Sequence, residues 1–146
     1  MSRVKRLELL LQLAETESDA AVRVVADRRA ALAKASDRLE ELTRYREEYS
    51  RHLGSAQAGG FGVQMREHRR FLDRLNTAVD QQRRDLQRIR GGVEAALAAW
   101  MDARKRLSTL GNAANRFKAL DRKEAVRREQ RLSDEFSARY SKRNAD

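Results

Sequence analysis

Few side chains in this 146-residue sequence could do chemistry, and they are scattered. There are two histidines, His52 and His68, and no cysteine. A histidine pair can begin a zinc site, but such a site needs further ligands at suitable spacing. It can also supply a general base, but a base needs a nucleophile within hydrogen-bond reach. Neither requirement is met, because the nearby glutamates do not converge on the imidazoles. Glu40, Glu41, Glu47 and Glu48 stand among arginines at helical spacing, the pattern of a solvated helix face. The "GGFG" run ending at Gly62 lacks the lysine and the following context of a phosphate-cradling loop. No enzyme, metal or cofactor is expected, and without thiols no disulfide.

Two other groups of residues have the chemistry of recognition. The first is aromatic. Tyr45 and Phe71 each stand one position before a residue of an apolar heptad row, where coiled coils normally carry lysine or glutamate. Leu42, Tyr49, Leu75 and Ala78 lie beside them. A partly exposed patch of this kind is the form of a protein-binding hot spot; the alternative is that the rings only widen a thin core. The second group is the basic tail, residues 116–143. Arg127, Arg128 and Arg131 cluster there, followed by Leu132, Phe136 and Tyr140 at i, i+4 spacing. Those residues suit docking on an acidic surface, and a plain solvated face is the competing reading.

The elements that position these groups can be read from periodicity. Leu7, Ala14, Ala21, Arg28, Ala35, Leu42 and Tyr49 recur every seven residues, interleaved with Leu11, Ser18, Val25, Leu32, Leu39, Arg46 and Leu53. A second pair of rows runs from Met65 to Ala114 and from His68 to Phe117. Alternating steps of three and four specify a left-handed supercoil. Between the two runs lies "GSAQAGGFG", residues 54–62, the one convincing breaker in a chain without proline. The reading is all-α: a single long antiparallel two-helix coiled-coil hairpin. Helix 1 covers about 4–53 and the mobile turn 54–62. Helix 2 covers about 64–140, with an overhang from about 116.

In this arrangement residues face each other when their numbers sum to about 117, which sets Tyr45 level with Phe71. Gly91 and Gly92 fall inside helix 2 near Arg28, as a dent that lets the arginine pass or as a bend point. Gly111, Asn112 and Asn115 weaken helix 2 where helix 1 runs out. The unpaired polar tail beyond them is expected to fray unless a partner orders it.

Composition sets the remaining bounds. Charged residues make up 37% and aromatics 5%, so a narrow seam, not a globular core, must hold the fold. No run approaches the roughly 18 apolar residues of a membrane span. Acidic residues interrupt the opening "MSRVKRLELLLQLAETE", so a soluble cytoplasmic protein is expected. The net charge of +10 falls almost wholly on residues 54–146. That excess motivates a nucleic-acid-associated coiled coil, or a generic scaffold, as the alternative function. Against the first, stacking platforms and a groove-reading module are missing.

Several segments together resemble one family. "YREEY" ends helix 1, a glycine loop follows, "FLDRLNTAVDQQ" comes early in helix 2, and "EQRLSDEF" lies near the C-terminus. In order and spacing over nearly the whole chain, they resemble FliJ, of the bacterial flagellar type III export apparatus. The resemblance implies a fold similar to the gamma-subunit stalk of rotary ATPases. It implies a non-enzymatic role: insertion into, or assembly of, the hexameric ring of the export ATPase FliI. It also implies coupling of that ring to the export gate protein FlhA, escort of export chaperones, and peripheral association with the membrane through these partners. The gate-binding surface it implies falls on Leu42, Tyr45, Tyr49, Phe71, Leu75 and Ala78. The surface for the ring or chaperones falls on Leu7, Leu11, Phe117, Arg127, Arg128, Arg131, Leu132 and Phe136.

Overall fold

The computed structural model describes residues 2–56 and 62–145. Two long α-helices pack antiparallel as a hairpin: α1, Arg3–Ala56, and α2, Gly62–Ala145. Ser2 starts α1. Its hydroxyl accepts a hydrogen bond from the Lys5 N–H (3.2 Å) and its carbonyl accepts one from the Arg6 N–H (3.1 Å). These bonds satisfy donors that a first helical turn leaves open. At the other boundary α1 passes Leu53 and keeps Gly54 to Ala56 helical. A glycine costs a helix only about 1 kcal/mol and need not end it. The rest of the expected turn, residues 57–61, lies outside the described residues, and so does the mobility expected of it.

Contacts divide the described chain into two units. In the unit Ala20–Met101, Val25, Ala35 and Leu53 of α1 are buried, as are Leu75, Val79, Leu86, Val93 and Ala96 of α2. Val79 is fully covered. The seam is thus the pair of heptad rows. Gln82, a polar member of one row, is half-buried and donates from Nε2 to the Ala35 carbonyl (3.0 Å), so its amide is satisfied across the interface. Arg28 keeps its seam position yet stays exposed. A Cβ placed on Gly92 would meet the Arg28 Cδ and a guanidinium nitrogen at 3.9 Å, so the glycine leaves a dent over which the arginine reaches water. His68 departs from the expectation: it holds a seam position but is exposed.

The other unit joins α1 up to Asp19 with α2 from Asp102 onward. Its seam is made of small residues, with Ala14, Ser18, Ala103 and Ala114 buried and Leu7, Leu11, Leu107 and Leu110 half-buried. Gly111 sits against Leu11, 3.9 Å from Cδ1 to a built Cβ. Through Gly111, Asn112 and Asn115 α2 continues without interruption, because packing outweighs their poor helix propensity.

Cross-helix ion pairs join Glu17 to Arg106 (3.5 Å) and Glu8 to Lys118 (3.4 Å). In each pair the α2 residue lies beyond the level partner of its α1 residue, by about six positions for Arg106 and nine for Lys118. The displacement is geometric: Cα–Cβ bonds tilt toward each helix's own N-terminus, so long side chains on antiparallel helices also reach partners beyond the level position.

Past Phe117 every described side chain is exposed, yet α2 stays helical to Ala145. No glycine or proline follows Gly111. Arg128 pairs with Glu124 one turn back (3.7 Å), and Lys142 and Arg143 sit in the last turn, where cations complement the helix dipole.

Candidate protein-docking flank

The aromatic group assembles on one flank of the unit Ala20–Met101. Phe71 is its hub. The Tyr45 ring meets it edge-on, with centroids 6.3 Å apart and planes at 89°. The Tyr49 ring lies 4.8 Å away at 63°. Both are geometries that the ring quadrupole favours. The Arg74 guanidinium stands 5.7 Å from the Phe71 centroid, within cation–π reach. Tyr49 continues the cluster to His68, with ring centroids 5.6 Å apart and a hydrogen bond between the tyrosine oxygen and Nδ1.

Burial sorts the six residues implied for a gate contact. Tyr45 is 50% exposed and makes the outermost surface. Leu42, Tyr49, Phe71 and Ala78 are half-buried. Leu75 is buried in the seam and offers almost no surface. The inner edge of the ring cluster thus widens the core, and Tyr45 faces solvent. Such a site is held rigid by its own packing before any partner arrives, which lowers the entropy cost of binding.

A cleft of about 50 Å³ lies between Tyr49, His52, Leu53 and His68. It is far below the ~300–1,000 Å³ of small-molecule sites. A wider trough along Glu67, Arg70, Asp73 and Arg74 is open and lined by charged side chains. Among the described residues no three potential metal ligands converge.

The second expected surface is divided. Leu7, Leu11 and Phe117 are half-buried in the seam, and Arg3 lies over the Phe117 ring at 3.9 Å, so these residues hold the hairpin together. Arg127, Arg128, Arg131, Leu132 and Phe136 are exposed on the tail. A further patch went unread as a site: Leu9, Leu10 and Leu13 are about half exposed on the outside of α1. Its signal was available, since "LELLLQL" holds more leucines than two seam rows can use.

A long antiparallel hairpin with one aromatic flank and a basic helical tail can be set beside known proteins. The family model described as "Flagellar FliJ protein" matches residues 3–146. The chain belongs to the FliJ family. Two relatives agree with it over the same extent. It is 28% identical to the Flagellar FliJ protein of Salmonella typhi over 141 residues, 96% of each chain. It is 27% identical to that of Escherichia coli (strain K12), again over 141 residues and 96% of each. FliJ proteins are components of the flagellar export apparatus, and this chain belongs among them. None of the described helices is long and apolar enough to cross a membrane.

Proposed function

We propose that this FliJ protein links the ATPase of flagellar export to the export gate, using two surfaces of different construction. The aromatic flank docks on the cytoplasmic domain of the gate protein FlhA. Tyr45 and Phe71 are the anchors, Tyr49 and Ala78 the border, and Leu42 and Leu75 the support. The tail, with Arg127, Arg128, Arg131, Leu132 and Phe136, engages the ring of the export ATPase FliI or the export chaperones, and attaches the protein to the membrane only through these partners.

One observation carries the reading. Tyr45 and Phe71 are packed together, with the seam residue Tyr49 against Phe71, at flank positions where solubility alone would select charge. Their arrangement costs exposed apolar surface and is explained by a partner that covers it.

Replacing Tyr45 and Phe71 by alanine is expected to weaken binding to the isolated gate domain at least tenfold, about 1.4 kcal/mol or more, as truncation of hot-spot residues does. Calorimetry with circular dichroism as the folding control measures it. Unchanged affinity in a fully helical double variant overturns the assignment. The alternative, nucleic-acid association through the basic tail, predicts micromolar binding to random duplex DNA at physiological salt, with a steep salt slope.

A further inference from the structure

We propose that the C-terminal tail pairs with the tail of a second copy of this chain, antiparallel, about a two-fold axis at Phe136. The inference is independent of what the aromatic flank binds.

Leu132, Phe136 and Tyr140 are among the most exposed large apolar side chains of the molecule, at 66%, 72% and 63%. On an α-helix, successive steps of four keep them on one stripe. Glu129 and Arg143 lie on the same stripe, three residues outside it on either side. The series 129, 132, 136, 140, 143 is therefore spaced three, four, four, three, and reads the same in both directions.

An isologous contact requires that symmetry, since residue i must meet j while j meets i. Turning a second copy antiparallel about Phe136 sets Phe136 against itself and Leu132 against Tyr140 twice. Glu129 comes level with Arg143 twice, at the two ends of the stripe. The tilt of Cβ bonds toward helix N-termini, which displaces the Glu17–Arg106 and Glu8–Lys118 pairs in the hairpin, carries Arg143 toward Glu135 of the second copy as well. A parallel pairing has none of this. It would put Glu129 beside Glu129 and Arg143 beside Arg143.

Three apolar residues per copy make a small interface, well under the ~1,200 Å² of a stable complex. The tails are also basic overall, a repulsion that salt of physiological strength screens beyond about 8 Å. The pairing is therefore weak, with a dissociation constant of roughly tens to hundreds of micromolar. It gives the exposed stripe a reversible cover that a tighter tail partner displaces.

The absence of cysteine allows a direct test on the full-length chain. Under mild oxidation at 0.15 M salt or above, Phe136→Cys is expected to form a disulfide dimer in high yield. Leu132→Cys and Tyr140→Cys should cross-link poorly alone and efficiently when mixed. Sedimentation of the unaltered chain should show a monomer–dimer equilibrium that Phe136→Glu shifts at least tenfold toward monomer. A chain that stays monomeric up to about 1 mM assigns the stripe to another partner and overturns the proposal. Equal self-cross-linking at 132, 136 and 140 overturns it too, as a parallel or unspecific contact.

Discussion

The aromatic flank and the C-terminal tail both present large apolar side chains to solvent, but they are built in opposite ways. On the flank, Phe71 touches two tyrosines, and buried Leu75 stands behind them. On the tail, Leu132, Phe136 and Tyr140 project from a helix with nothing packed against it in the described chain. The flank is ordered by the fold itself. The tail is ordered only by its backbone hydrogen bonds and a few side-chain pairs such as Arg128–Glu124. A rigid patch suits selective recognition of one surface, because little entropy is lost on docking. An uncovered helix suits exchange among partners, because each partner must supply the packing that the hairpin withholds.

The largest expected difference between the two regions is in amide exchange. In dilute protein, amides beyond about residue 120 should exchange within a few orders of magnitude of the unprotected rate, because a lone polar helix opens locally. Amides around Val79 should require near-global opening. Equal protection in a monomer would erase the contrast.

Next is side-chain truncation. Leu75→Ala should cost about 2–4 kcal/mol in denaturant unfolding, because it empties a filled seam under the rings. Phe136→Ala in the tail should change stability by no more than about 0.5 kcal/mol at low concentration. A tail variant as damaging as the seam variant would mean that residues 118–145 pack on something within the chain.

An effect smaller than that of Leu75→Ala is expected at the edge of the flank. Tyr49→Phe removes the oxygen bonded to His68 and keeps the ring on Phe71, so it should cost about 0.5–1.5 kcal/mol. The same variant should leave gate-domain binding within about threefold if ring packing, and not the hydroxyl, presents Tyr45 and Phe71. Calorimetry on the single variant separates the two contributions.

Much of this was legible in the residues. The heptad rows name nearly every buried position, from Ala14 to Leu53 and from Leu75 to Ala114, because a two-helix interface has one solution for steps of three and four. The level pairing of Tyr45 with Phe71 follows from the same register. Less legible were the departures. His68 occupies a row yet is exposed and bonds to Tyr49. α2 runs unbroken through Gly111, where a weakening is expected from sequence; propensity costs only about 1 kcal/mol there. Leu7, Leu11 and Phe117, which the family resemblance implies for a partner surface, are half-buried where the heptad rows put them.

The sequence by itself determined the two helices, their antiparallel register and the placing of the aromatic and basic groups, because helix periodicity is local and a seam of fixed spacing admits one alignment. Only the tertiary structure decided which of those side chains face water. Exposure depends on the neighbours that side-chain tilt and hydrogen bonding bring across from the other helix: Arg3 over Phe117, Gln82 on the Ala35 carbonyl, Tyr49 on His68. Heptad register sets those residues near one level; which atoms meet there is decided by the side chains packed across the seam.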